Sequence, residues 1–175
     1  QAPILFFIPE ILDREWNNVF TLAVMYVNTY LLTKGITAIT KGLSGRTRPY
    51  MYNTSLSAEK RYQLITEESF DVSGSFFSGH TSAAFAAAVW VAKAYEDIYG
   101  KSIWSKLIWI ASLTTASYAG YCRYRCGEHY PSDVIAGALV GGAIGYAVTL
   151  IHKRNINNKY DYHVKPGMIG FSYYF

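Results

Sequence analysis

Charge, cysteine and carboxylate clusters are all scarce in this chain of 175 residues. Charged residues make up 16%, against about a quarter in an ordinary soluble domain. The net charge of +4 suits an anionic substrate or an anionic membrane surface and is too small to argue for nucleic acid. Only two cysteines occur, Cys122 and Cys126. With no two further ligands grouped beside them they do not make a zinc site. A disulfide between them is left open, conditional on an oxidising compartment. Internal repeats and low-complexity tracts are absent, so a single domain is expected over residues 1–175, with a motif-bearing core of about 13–154 and a tail over 155–175. The first residue is Gln1, which reads as a processed or trimmed chain with no signal peptide to interpret.

Hydrophobic residues and tyrosine are abundant, and their periodicity predicts helices. Ala2 to Leu12 is apolar and broken by Pro3 and Pro9, and too short to span a bilayer. Asp13 reads as an N-cap with Glu15 in the first turn. From Trp16 to about Lys41 the pattern is helical, with Phe20, Val24, Val27, Leu31 and Leu32 along one side. Tyr50 to Phe77 reads as a long connection holding one short helix, about Ala58 to Thr66, capped by Ser57. Such a connection serves as a lid or as a plain surface segment. An Ala-rich helix follows Ser78-Gly79-His80 and closes at Gly100. Ile103 to Tyr121 and Val134 to Ile151 complete the set. Tyr160 to Phe175 alternates loosely and is aromatic, which suggests a short hairpin or an extended arm.

Three stretches carry chemistry. In Arg123-Tyr-Arg-Cys-Gly-Glu-His129-Tyr-Pro-Ser-Asp133, Pro131 can open a helix, so His129 and Asp133, four apart, are expected to meet on one face. A carboxylate there would fix the imidazole tautomer and leave one ring nitrogen to attack. Arg123 can pair with an oxyanion through both arms of its guanidinium. In Lys41-Gly-Leu-Ser-Gly-Arg46-Thr-Arg48-Pro49, a basic loop leaves a helix end, where cations are also ordinary capping groups. Ser78-Gly79-His80 begins a helix whose free N–H groups form an anion site, with His80 in its first turn. Taken singly, each has a plain structural explanation.

Taken together, Lys41 with six residues before Arg48-Pro49, then Ser78-Gly79-His80, then Arg123 with five residues before His129 and three more before Asp133 resembles the signature of the type-2 phosphatidic acid phosphatase and vanadium haloperoxidase superfamily. Two positions depart from it: Phe77 stands where proline is usual and Cys122 where serine is usual. The resemblance implies an all-α bundle of about five main helices with a short irregular or β-like C-terminal tail. It implies that His129 attacks phosphorus to give a phosphohistidine and that Asp133 orients the ring. His80 would protonate the leaving oxygen and then activate water. Lys41, Arg48 and Arg123 would hold the phosphoryl oxygens with Ser78 and the Gly79 N–H. No metal or other cofactor is expected.

The leading expectation is a phosphatase acting outside the cytoplasm on a phosphorylated small molecule or a lipid (pyro)phosphate. The alternative is a vanadate-dependent haloperoxidase using the same pocket, and a non-catalytic binding protein is disfavoured because every reacting group is present. Only Val134 to Ile151 nears spanning length. Val19 to Thr33 and Thr81 to Ala92 stop at Lys34 and Lys93, so a compact periplasmic domain resting on a membrane is expected.

Overall fold

The structure is a computed structural model that describes residues 16–67 and 72–157. Expectations for Ala2 to Leu12, for Asp13 and Glu15, and for the aromatic tail fall outside the described residues. Within them the chain is all-α, with five helices: α1 Trp16–Ser44, α2 Ala58–Glu67, α3 Gly79–Tyr99, α4 Ile103–Arg125 and α5 Pro131–Asn157. A single 3₁₀ turn, Pro49–Tyr52, follows the basic loop.

Local chemistry sets most helix ends. The Ser78 side chain accepts from the Thr81 N–H and starts α3. Gly100 ends α3 with φ of 76°, a conformation that glycine adopts without steric penalty. Ser102 and Ser105 form a reciprocal capping box at the start of α4. Pro131 is the first residue of α5, where its missing N–H costs nothing. All the helices except α3 run past the C-terminal ends expected from the sequence. In particular α4 continues to Arg125, so Arg123 stands on its last helical turn and not in a loop.

The central helix is α3, which packs against α1, α4 and α5. Alanines keep its surface shallow, and three glycines of α5 let the two backbones touch. A Cβ at Gly137, Gly141 or Gly145 would strike the backbone carbonyl oxygens of Ser78, Ser82 and Ala86 respectively. This glycine-every-fourth-residue seam is a common means of close helix approach. The core away from the site gathers Leu22, Met25, Trp90, Val91, Ala94 and Val148.

The apolar side of α1 faces outward. Phe20, Val24, Val27, Leu31 and Leu32 are exposed, while Thr29, Thr33 and Thr37 are buried. Each of these threonines turns its hydroxyl to the carbonyl four residues back, at 2.7–2.8 Å, which removes an unpaired polar group from the packed side. The helix also runs through Lys34 without a break. Two stretches, Phe20–Tyr52 and Pro131–His152, are therefore long and apolar enough to cross a membrane, and most of each is unburied. The expectation of one near-spanning segment is corrected to two.

Candidate functional site

The three sequence stretches meet at one end of the bundle, where backbone hydrogen bonds stitch them together. The Arg48 N–H donates to the Val72 carbonyl at 2.9 Å, Ser75 N–H to the Arg46 carbonyl at 2.9 Å, Tyr50 N–H to the Gly127 carbonyl at 3.0 Å, and Ser78 N–H to the Asp133 carbonyl at 3.0 Å. Arg48 has the extended backbone that Pro49 imposes, with ψ of 147°. Lys41 occupies the last turn of α1, and its Cε lies 3.9 Å from where a Cβ on Gly79 would be. Lys41 thus lies against the N-terminus of α3, the end that favours anions.

His129 is 2% exposed. Its Nδ1 lies 2.7 Å from the backbone carbonyl oxygen of Ser75. A carbonyl only accepts, so Nδ1 carries the proton and Nε2 holds the lone pair. The pKa of His129 is pushed down to about 4, first by burial and then by Arg48, with Lys41 adding; the Ser75 carbonyl and Asp133 oppose. The imidazole is therefore neutral near neutral pH, the form required of a nucleophile.

Asp133 does not do what spacing alone suggests. Its Oδ2 stands 3.8 Å from His129 Nδ1, outside hydrogen-bond range. The same oxygen accepts from the Ser75 hydroxyl at 2.6 Å and from the Tyr130 N–H at 3.1 Å. Oδ1 accepts from Arg46 Nη1 at 2.6 Å. The reason is the helix start. With Pro131 as the first helical residue, Asp133 is third and reaches back to cap the turn, while His129 lies ahead of the helix and off its face. The expected direct His–Asp contact is replaced by a relay: the Ser75 carbonyl holds the ring, and the Ser75 hydroxyl is held by Asp133.

His80 is exposed, with its pKa lowered by partial burial and then by Arg123, Lys34 and Lys41, against the opposing charge of Glu128. Ser78 is fully buried, and its oxygen accepts from the Thr81 hydroxyl at 2.8 Å. The structure uses it as the cap that fixes the start of α3. Arg48 is buried and its Nη1 donates to Glu128 Oε2. Cys122 and Cys126 are free thiols. Phe77, in the usual place of proline, is 3% exposed. Among the described residues no group of three or more His, Cys, Asp and Glu gathers as metal ligands would.

Three residues escaped the sequence reading. Arg46, whose guanidinium carbon stands 4.2 Å from the centre of the Tyr130 ring, was visible only as extra charge in the basic loop. Glu128 carried no signal beyond its place before His129. Ser75 acts through its carbonyl, which every residue has.

Backbone hydrogen bonds thus bring the three distant stretches together beside the N-terminus of α3. The PAP2 superfamily model matches residues 22–157. The chain belongs to the PAP2 superfamily. Over 79 residues this PAP2 chain is 37% identical to a probable diacylglycerol pyrophosphate phosphatase 1 of Schizosaccharomyces pombe, covering 42% of the chain and 28% of that relative. Over 78 residues it is 37% identical to a lipid A 1-phosphatase of Porphyromonas gingivalis, covering 43% of the chain and 16% of that relative. The chain thus spans less than a third of the length of either relative. No solved structure matches it.

Proposed function

We propose that this PAP2 chain is a phosphoric ester hydrolase that removes a terminal phosphate from a lipid-borne phosphate ester or pyrophosphate, through a phosphohistidine. The carrying observation is His129, whose Nδ1–H is committed to the Ser75 carbonyl and whose ring is held neutral among cations. Its Nε2 attacks phosphorus in line. Lys41, Arg48 and Arg123 hold the non-bridging oxygens with the Gly79 N–H, stabilising charge that spreads over them in the transition state. His80 hands a proton to the leaving oxygen and then takes one from the water that cleaves the N–P bond. Asp133 anchors the Ser75 relay, and Ser78 anchors the helix N-terminus.

The substrate reading rests on the names of the two relatives, and the two apolar helices support a membrane setting. We place the site on the extracytoplasmic side, periplasmic in a bacterium, as the family resemblance implies. Cys126, exposed beside the site, makes this testable. A membrane-impermeant maleimide should label it in intact cells, and labelling only after lysis would put the site inside.

His129→Ala should abolish turnover, by at least about a thousandfold, while leaving helicity unchanged. Brief incubation of the parent protein with radiolabelled substrate should trap an acid-labile, base-stable phosphoenzyme that the variant lacks. Label on Ser or Asp would reassign the nucleophile. Halide oxidation by the vanadate-treated protein, with no phosphate release from any ester, would move it to the haloperoxidase branch.

A further inference from the structure

The end of α4 puts a charge where an apolar residue is usual. Its last helical residue is Arg125 and its C-cap is Cys126. Gly127 follows with φ of 69°. The Gly127 N–H donates to the Tyr124 carbonyl at 3.0 Å, and the Glu128 N–H to the Arg123 carbonyl at 3.2 Å. This pair of bonds is the Schellman ending of a helix, in which the residue after the glycine commonly makes an apolar contact with the residue five before it. Here those two positions hold Glu128 and Arg123. The backbone of Glu128 is fixed by the motif, and its carboxylate is left for another partner.

That partner is Arg48, whose Nη1 donates to Glu128 Oε2. The Tyr50 N–H donates to the Gly127 carbonyl at 3.0 Å, which ties the Arg48-Pro49-Tyr50 stretch to the end of α4 and brings the two side chains together. They are unequally placed: the Arg48 side chain is 8% exposed and that of Glu128 32%. The carboxylate reaches water and can leave by rotating about its side-chain bonds, within picoseconds to nanoseconds for an exposed group. The guanidinium is held inside and stays. A guanidinium pairs with carboxylate and with phosphate through the same donors. The reading above gives Arg48 to the oxygens of a phosphoryl group, so Glu128 and that group compete for one cation.

We infer that Glu128 is a positioning residue that takes the place of phosphate on Arg48 in the empty site and, by returning to Arg48 after each turnover, drives inorganic phosphate out. This rests on the phosphatase reading above. The step is an exchange of ion partners, with no covalent bond made or broken. An entering phosphoryl group displaces the carboxylate into water. Once the leaving group and its apolar tail have gone, the phosphate product is held by the cations and the helix N-terminus alone. The carboxylate belongs to the same chain, so it competes as an intramolecular partner at an effective concentration that does not fall on dilution. Capture of Arg48 by Glu128 therefore loosens the product more than it loosens a substrate that also has its tail to hold it.

The test uses the full chain in detergent micelles, as the parent protein, Glu128→Gln and Glu128→Asp. Glutamine keeps the size of the side chain and one acceptor for Arg48 and removes the charge; circular dichroism would verify the fold. Binding of inorganic phosphate is measured by calorimetry. Turnover is measured with a fluorogenic aryl phosphate and a short-chain lipid phosphate, at the pH optimum of each form. Glu128→Gln should bind phosphate about three- to tenfold more tightly and lower KM in step. It should lower kcat about two- to fivefold, with a burst of fluorescent product on mixing that the parent lacks. Glu128→Asp, which keeps the charge, should bind phosphate within about twofold of the parent. A purely structural pair predicts the opposite sign, with phosphate binding and kcat/KM both weakened as Arg48 loses a partner that holds it. That result, or unchanged phosphate binding, overturns the role of Glu128 and leaves the phosphatase reading intact. Tighter phosphate binding with kcat unchanged and no burst overturns the release step. Failure of the parent protein to hydrolyse either ester overturns the phosphatase reading and this inference with it.

Discussion

Arg46 donates its Nη1 to Oδ1 of Asp133 at 2.6 Å across 87 positions of chain, joining the basic loop after α1 to the first turn of α5. The arginine is 38% exposed and the aspartate fully buried, so the pair shields a carboxylate that could not be left alone in the interior. Through the Ser75 hydroxyl this carboxylate also braces the carbonyl that holds His129. A loop residue thereby controls the orientation of the proposed nucleophile without touching it.

Arg46→Met should therefore lower kcat more than it raises KM, by about tenfold. It should also cost about 1–2 kcal/mol of stability, the smaller end of the range because the guanidinium is partly in water. Ser75→Ala removes the hydroxyl and keeps the carbonyl, so its loss in kcat should be smaller. Steady-state kinetics and thermal unfolding of both variants in detergent would check this; an Asp133 that governs His129 directly would leave Ser75→Ala without effect.

The pH dependence follows from two histidines whose pKa values are both lowered. The nucleophile must be neutral and the acid protonated, so kcat/KM of the free enzyme should be bell-shaped. Its acid limb should fall near the value of about 4 for His129, and its alkaline limb below 6.5, the ordinary histidine value from which His80 is lowered. An optimum above pH 7 would contradict the assignment. Stability has the same sign. Between pH 6.5 and about 4 the unfolded chain binds the His129 proton and the folded chain does not, so stability rises with pH through that window. It should be about 3 kcal/mol higher at its upper end than below its lower end. Chemical unfolding as a function of pH measures this.

Glu128 accepts from Arg48 and raises the pKa of His80. Glu128→Gln should weaken the charge pairing that competes with an anion for Arg48 and lower the pKa of His80 further. Inhibition by inorganic phosphate should tighten several-fold, and the alkaline limb of kcat/KM should move to lower pH. Unchanged phosphate inhibition would show that the pair does not compete with substrate.

Gly141→Ala places a Cβ against the Ser82 carbonyl of α3. A backbone atom cannot swing aside, so the helices must separate, and a loss of about 1–3 kcal/mol is expected. The midpoint of thermal unfolding should drop accordingly. At Gly142 the nearest atom to such a Cβ is the Val89 Cγ2 at 3.7 Å, and Gly142→Ala should be tolerated.

Much of this protein was legible along the chain. Ser78, Gly100 and Pro131 mark helix ends because capping chemistry is local, and the order and spacing of Lys41, Arg48, His80, Arg123 and His129 carried the resemblance to the superfamily to which the chain belongs. The tertiary structure alone decided the rest. Periodicity shows that α1 has an apolar side and a threonine side but not what each faces, and packing put the threonines inward. Spacing allowed Asp133 to reach His129, yet the helix start turned the carboxylate elsewhere and a backbone carbonyl took its place. Side-chain identity leaves a trace in sequence, whereas a carbonyl belongs to every residue and acquires a partner only when the chain has folded around it.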